Sequence, residues 1–311
     1  MSRSVLTFRK SLFTSNESLE PVGPNRTHAM FGRNLPLQSF KRYVSCIWRA
    51  SQVSLRGLDH LSRLAGSRPK MSQPKKDSVD KILDDAVKEG RGVLTEPEAK
   101  RICSAYHIPT PPSRLVSNSK DAVDAARRLG FPVVLKIVSP DISHKTETGC
   151  VKLGLGTAAE VKHAFQDVMR NASNHAPRAV VKGVLVEKML PKGNEVIIGG
   201  LKDPRFGQTL MFGLGGIFVE LFEDVSFRVA PLSERAAMKM IREIKGYEIL
   251  KGFRGQQRAD EESLVKILLA LSRLMIEHPE ISQIDLNPTI VYNKGAVAVD
   301  ARMSLAGQVT S

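Results

Sequence analysis

Lys136 and His144 are the two side chains in the middle of the chain whose types and spacing suit group transfer. Lys136 interrupts an apolar run at residues 133–137, so its charge must reach solvent at a sheet edge or bind a partner such as phosphate in a cleft. His144 follows within a stretch rich in hydroxyl groups. A lone histidine is either a satisfied structural group or a nucleophile that accepts and returns a phosphoryl group. Both interpretations remain open on residue type alone.

Oxygen-bearing side chains near the carboxyl end form a second candidate group. Asp285 and Asn287 lie two residues apart in a predicted strand and therefore share one face. Asp300 ends the next strand of a predicted hairpin and can come alongside them. Carboxylate and amide oxygens suit a hard cation such as Mg²⁺ bound together with nucleotide phosphates. The alternative is that these side chains only cap turns.

A third set lies at strand ends where a nucleotide could bind. Its members are Glu187, Lys188, Met189, Glu195, Gly215 and Gly216. The first three leave a strand for a turn, which is typical either of a hinge that holds adenine and ribose or of ordinary surface residues at a hairpin. The two glycines can let backbone amides approach a phosphate, or can simply form a tight turn.

Interleaved helices and strands must position these groups. Hydrophobic spacing predicts helices over residues 77–89, 95–106, 119–130, 158–171, 234–245 and 260–278. Strands are predicted over residues 114–116, 131–137, 151–155, 180–189, 195–200, 209–213, 227–230, 283–286, 290–292 and 296–300. The turn at residues 293–295 favours antiparallel pairing, so the class is α/β or α+β.

The excess of positive charge lies mainly in the first 70 residues. The 311-residue chain has 46 Lys+Arg and 32 Asp+Glu, and twelve of the basic residues but only three of the acidic ones precede Met71. That segment is predicted to be a disordered basic leader: a transit peptide, a tail for an acidic partner, or sequence upstream of a start at Met71. The body is only mildly basic, which argues against a nucleic-acid-binding protein. No apolar run reaches the ~18 residues of a membrane span, and three cysteines are too few for a disulfide framework.

Six stretches of the body together resemble an ATP-grasp domain. They are residues 135–149, 186–189, 203–207, 212–220, 250–255 and 285–288. More narrowly, they resemble the beta subunits of ADP-forming acetyl-CoA synthetases, which are related to succinyl-CoA synthetase. Cys150 stands where that family usually has a second glycine. The resemblance implies an α+β, ATP-grasp fold of two α/β lobes with the nucleotide between them. The expected domains are a leader at 1–70, a helical lead-in and first lobe at 71–185, a second lobe at 186–305 and a tail at 306–311.

The resemblance also implies a reaction, acyl-CoA + ADP + phosphate ⇌ acid + ATP + CoA. His144 would carry the phosphoryl group, Asp285 would orient or balance it, and Lys136 would bind nucleotide phosphates. The third set of residues would complete the nucleotide site, and Asn287 and Asp300 would bind Mg²⁺. The expected ligands are Mg²⁺ and ATP or ADP, and the expected partner is a CoA-binding alpha subunit in an alpha2beta2 assembly, with no nucleic acid and no membrane.

Two other functions remain possible, namely an ATP-grasp ligase that acts alone and a non-catalytic ATP-grasp binding module. The expected location is cytoplasmic, or the matrix of an organelle if the leader is a transit peptide.

Overall fold

The computed structural model describes residues 76–142, 145–216, 224–252 and 257–307. Its helices are α1 Lys76–Lys88, α2 Glu96–Ala105, α3 Ser119–Leu129, α4 Ala158–His175, α5 Glu234–Arg242, α6 Tyr247–Leu250 and α7 Glu261–Glu277. Its strands are β1 Ser113–Val116, β2 Val133–Val138, β3 Val151–Leu155, β4 Gly183–Lys188, β5 Asn194–Asp203, β6 Gly207–Leu214, β7 Val225–Val229, β8 Ile281–Val291, β9 Ala296–Ala298 and β10 Arg302–Leu305. The predicted leader, residues 1–70, lies outside the described residues.

The strands form two antiparallel sheets, which we call the smaller and the larger sheet. The smaller sheet has the order β1-β4-β2-β3, and helices α3 and α4 pack against it. The larger, six-stranded sheet has the order β10-β8-β5-β6-β7, with β9 paired to β8. Because every described strand pair is antiparallel, the class is α+β. None of the described helices has the length and apolar character needed to cross a membrane.

Strand β2 is central to the smaller sheet, and this explains the buried position of Lys136. The strand pairs with β3 on one side and with β4 on the other, and all six of its residues are buried. Apolar side chains such as Leu135 and Ile137 fill the core beneath α3 and α4. A central strand has no free edge at which a lysine could reach water, so the ammonium group must find protein partners.

The two amino-terminal helices share the core of the larger sheet. Val79 and Leu83 of α1 and Ile102 of α2 belong to the same apolar cluster as Leu271 of α7 and Ile198 of β5. The predicted division instead grouped these helices with the first lobe because they precede it in the chain. The apolar faces of both helices pack against the larger sheet. The polar residues of α2 therefore lie at the junction of the two sheets.

Strand β8 is one continuous strand, whereas the sequence predicted two strands on either side of residues 287–289. Pro288 in this stretch lacks an N–H and cannot donate to a strand ladder. The pairing of β8 with β5 changes register at this point, where Leu286 pairs with Ile198 and Thr289 with Val196. A bulge of this kind accommodates a proline inside a strand. Strand β10, which was not predicted, then pairs with β8 on its other side.

Candidate active site

The side chain of Lys136 ends in a buried group of charges between the two sheets. Its Nζ lies 2.7 Å from Glu96 Oε1 and 3.1 Å from Glu187 Oε1. The same ammonium donates to the carbonyl oxygen of Val299 at 3.4 Å, in the segment that follows β9. Burial alone would lower the pKa of Lys136, but the carboxylates of Glu96, Glu187 and Asp300 outweigh it and hold the pKa well above its usual value. Lys136 therefore joins β2 to the hairpin of the larger sheet as a cation.

Two further lysines bind the same carboxylates. Lys100 Nζ lies 2.8 Å from Glu96 Oε1 and also contacts Glu187, while Lys145 Nζ lies 3.2 Å from Glu96 Oε2. We call Glu96, Lys100, Lys136, Lys145 and Glu187 the charge cluster. Burial would raise the pKa of Glu96, yet the three ammonium groups keep it well below its usual value. The charge cluster itself holds three cations and two anions, and the carboxylate of Asp300 acts on Lys136 from outside it.

Glu96 and Lys100 were not among the site residues predicted from the sequence. They are four residues apart in α2, a spacing normally typical of a solvent-exposed ion pair. A signal was nonetheless present, since Ala99 and Cys103 face the core and Glu96 and Lys100 lie on the same side of the helix. Both charged side chains are at most 5% exposed.

Asp285 is held in an environment that disfavours its charge. It lies on β8 opposite Arg302 of β10 and Gly199 of β5, and its Oδ1 is buried without a hydrogen-bond partner. Burial, with a further contribution from the charge of Asp300, raises the pKa of Asp285 to about 7. Near neutral pH this carboxyl group can therefore hold or release a proton.

The predicted metal ligands are neighbours of Asp285 along β8 or in its electrostatic surroundings. Asn287 is two residues along β8 from Asp285, at the bulge, and Asp300 follows β9 closely enough to influence the Asp285 carboxyl. Two carboxylates and an amide form an all-oxygen donor set, which suits a hard cation such as Mg²⁺. An unsatisfied buried carboxylate oxygen beside a second carboxylate fits that cation, because its charge would relieve both the repulsion and the missing contact.

A second group of possible metal ligands in the described part of the chain is Asp80, His278 and Glu280. His278 Nδ1 lies 3.4 Å from Asp80 Oδ1 and 3.3 Å from Glu280 Oε1. Its Nε2 is buried and has no partner. A metal on Nδ1 would require a proton on Nε2, where nothing accepts it, so we interpret the contacts as hydrogen bonds from Nδ1–H.

The hinge residues are already bound within the smaller lobe. The side chain of Glu187 faces the charge cluster, and Lys188 Nζ donates to the carbonyl oxygens of Gly130 at 2.7 Å and Phe131 at 3.0 Å. The backbone N–H of Met189 donates to Pro132 O at 3.2 Å. These contacts fix the end of β4 against the start of β2.

Glu195 and the two glycines meet at the larger sheet. The N–H of Gly215 donates to Glu195 O at 2.7 Å, and a Cβ at position 215 would lie 2.9 Å from Glu195 Cβ. Gly216 has φ +66°, a conformation that favours glycine. Burial raises the pKa of the Glu195 carboxyl. Close packing therefore accounts for Gly215, and backbone conformation accounts for Gly216.

Ser143 and the predicted carrier, His144, lie outside the described residues. The segment directly after them is well anchored. The N–H of Cys150 donates to Lys145 O at 2.8 Å, and Asn171 Nδ2 donates to Gly149 O at 2.9 Å. Cys150 is buried in the core of the smaller lobe. The backbone of Lys145 is thus tied to the start of β3 while its side chain reaches Glu96.

Comparison with known proteins identifies the class that this fold and site define. The ATP-grasp domain family matches residues 85–305. The beta subunit of acetate–CoA ligase [ADP-forming] I from Pyrococcus furiosus is 48% identical over 224 residues, which is 72% of this chain and 96% of that protein. The chain belongs to the ATP-grasp family and, within it, to the beta subunits of ADP-forming acetate–CoA ligases.

Solved structures agree with this placement. The dinucleotide-forming acetyl-coenzyme A synthetase 1 of Ca. Korarchaeum cryptofilum, in complex with coenzyme A, Ca-AMPCP and HgCl+, superposes with a TM-score of 0.71 at 48% identity, covering 72% of this chain and 98% of that one. The selenomethionine derivative of that protein, with coenzyme A and Mg-AMPPCP, has its phosphohistidine segment pointing towards the nucleotide binding site. It matches with a TM-score of 0.66 at 47% identity, covering 73% and 99% of the two chains. The expected ATP-grasp fold is confirmed.

Proposed function

We propose that this chain is the nucleotide-binding half of an ADP-forming acetate– or acyl-CoA ligase, and that it carries a phosphoryl group on His144. The observation that supports this most directly is the contact of Lys136 Nζ with Val299 O, 3.4 Å away and next to Asp300. It brings a phosphate-binding lysine of one sheet to the oxygen donors of the other. A nucleotide with Mg²⁺ at this junction would meet cations on one side and carboxylates on the other.

The reaction would be acyl-CoA + ADP + phosphate ⇌ acid + ATP + CoA. In the step assigned to this chain, an oxygen of the ADP β-phosphate attacks the phosphorus on His144, a P–O bond forms and the P–N bond breaks. The imidazole leaves as neutral histidine if its other ring nitrogen bears a proton. Asp285 would accept the hydrogen bond from that N–H and so orient the ring, a role that suits a carboxyl group with a pKa of about 7.

The remaining residues of the site would bind and position the nucleotide. Lys136 and Lys145 would neutralise phosphate oxygens as their charge shifts during transfer. Asn287 and Asp300 would hold Mg²⁺, which when bound would neutralise phosphate charge and orient the phosphates. The adenine, ribose and phosphate contacts would come from the set Glu187, Lys188, Met189, Glu195, Gly215 and Gly216. Lys188 would contribute its backbone, because carbonyl oxygens already bind its ammonium.

The partner would be a CoA-binding alpha subunit. The Pyrococcus furiosus relative is itself a subunit beta, and this chain spans almost the whole length of that relative. The alpha subunit would form the acyl phosphate and deliver its phosphoryl group to His144. We propose an alpha2beta2 assembly, in which each nucleotide site receives phosphoryl groups from an alpha subunit.

The test is ATP formation from ADP, phosphate and acetyl-CoA with Mg²⁺, using the chain together with its CoA-binding partner. Wild-type protein should form ATP, and Lys136→Met should lose at least 100-fold in kcat/KM, which corresponds to about 2.7 kcal/mol. Lys152→Met is the matched control. Lys152 lies on the neighbouring strand β3, where its ammonium is 3.8 Å from Asp167 at the surface, and it should keep full activity. Equal activity of both variants would contradict the proposed site.

A ligase that acts alone predicts the opposite dependence on the partner. It would join its substrates without an alpha subunit and would remain active as His144→Ala. That result would replace the proposed function with the alternative one.

A further inference from the structure

Glu96 pairs with three ammonium groups that come from three different parts of the chain. Its Oε1 lies 2.8 Å from Lys100 Nζ and 2.7 Å from Lys136 Nζ, and its Oε2 lies 3.2 Å from Lys145 Nζ. Both oxygens are therefore in use, and the side chain is only 3% exposed. A buried carboxylate that pairs with three ammonium groups fixes the positions of those three charges.

The position of Glu96 connects the two lobes. Lys136 belongs to β2 and Lys145 to the segment that leads into β3, so both lysines are part of the smaller lobe. Helix α2, which carries Glu96, packs its apolar face into the core of the larger sheet. The Glu96 carboxylate consequently fixes the positions of these two lysines relative to the lobe that bears Asp285 and Asp300.

Glu187 cannot take over this role. It pairs with Lys100 and Lys136, but the ion pair of Lys145 is with Glu96. Loss of the Glu96 charge would leave Lys145 without its carboxylate, and Lys100 and Lys136 would share Glu187. Asp300 is the next carboxylate that influences Lys136. Mutual repulsion would then move the ammonium groups apart or lower the pKa of Lys136.

We propose that Glu96 is a positioning residue for phosphoryl transfer, which holds the ammonium groups of Lys136 and Lys145 where the transferred phosphate passes, without itself contacting the substrate. This rests on the proposed function of the site. Group transfer depends steeply on placement, and a displacement of about 1 Å reduces rates by about 100-fold.

The test compares Glu96→Gln with wild type in the complex with the alpha subunit, by measuring kcat and KM for ADP between pH 6 and pH 10. Glu96→Gln should lower kcat by about 100-fold at pH 7.5. It should also shift the alkaline fall in activity to lower pH, because Lys136 loses Glu96, the carboxylate that contributes most to raising its pKa. An unchanged kcat and alkaline limb would overturn the proposal.

A double variant separates positioning from simple charge balance. Glu96→Gln with Lys100→Met has the same net charge in the cluster as wild type, which removes the main reason for misfolding. It should remain slow, because Lys145 still lacks its partner. Recovery of the wild-type rate would show that Glu96 only neutralises buried charge, and the proposal would fail.

Glu98→Gln is the control for helix stability. Glu98 lies on the same helix, pairs with Arg91 at 2.8 Å and accepts the N–H of Thr95, outside the charge cluster. Its loss should lower the melting temperature without changing the alkaline limb. If wild type itself forms no ATP, the proposed function fails; if wild type is active while Glu96→Gln behaves like Glu98→Gln, only the role of Glu96 fails.

Discussion

Replacing Asp285 with asparagine should stabilise the nucleotide-free protein, and should do so more at pH 8 than at pH 5. Burial and the neighbouring charge of Asp300 raise the pKa of Asp285 from 3.8 to about 7. Between these values the folded protein binds a proton that the unfolded chain does not, so stability falls as the pH rises through this window. Asparagine has nearly the same shape and never carries the charge.

The size of the effect follows from the shift in pKa. About three pH units at 1.36 kcal/mol each amount to about 4 kcal/mol once the pH is above both values. At pH 5 the folded carboxyl is still protonated, and the same linkage leaves a gain of only about 1.5 kcal/mol. The advantage of Asp285→Asn should thus grow by about 2–3 kcal/mol between pH 5 and pH 8.

Urea unfolding followed by circular dichroism at both pH values measures this difference. Asp260→Asn is a useful comparison, because Asp260 accepts hydrogen bonds from Ser263 and Gly295 and its pKa is lowered, although burial opposes the shift. That variant should lose stability at pH 8. A gain for Asp285→Asn that is the same at pH 5 and pH 8, or a loss at pH 8, would refute the electrostatic explanation.

Three further predictions concern other parts of the chain. Lys188→Met should lose about 2 kcal/mol of unfolding free energy but change the Kd for ADP less than about threefold, because carbonyl oxygens already hold its ammonium; a larger effect on ADP than on urea unfolding would contradict this. Gly215→Ala should cost about 1–3 kcal/mol, since its Cβ would meet the backbone of Glu195, whereas a Cβ at Gly156 would lie 3.6 Å from Glu160 Oε2, an ordinary contact, and Gly156→Ala should be close to neutral in thermal unfolding. A protein that begins at Met71 should keep the melting temperature and the ATP formation of the full chain; a marked loss of either would show that residues 1–70 contribute packed structure.

Local patterns predicted most of the helices and strands. The residues of α2 that pack inward, Ala99, Ile102 and Cys103, follow directly from helical spacing. The strand carrying Lys136 was likewise evident from its apolar run, and its buried charge pointed to the site. The spacing of hydrophobic residues indicates which face of a helix or strand is apolar, and a short window of sequence is enough to show that spacing.

Contacts between distant elements could not be read in the same way. The pair Glu96 and Lys100 has the spacing of a surface ion pair, and only the arrival of Lys136 and Glu187 from the smaller sheet makes it a buried cluster. Two strands were predicted over residues 283–286 and 290–292 where the protein has one, because a window of sequence does not show the bulge that accommodates Pro288.

The most direct test of the central claim is phosphorylation of His144. Wild-type protein incubated with Mg²⁺ and ATP labelled on the γ-phosphate should acquire a label that is labile in acid and stable in base, as a phosphoramidate is. His144→Ala should abolish the label while leaving ADP binding nearly unchanged, and His163→Ala, which removes an exposed histidine of α4, should retain it. A wild-type chain that stays unlabelled with Mg²⁺, ATP and its alpha subunit, or a label that survives in His144→Ala, would contradict the phosphoryl relay.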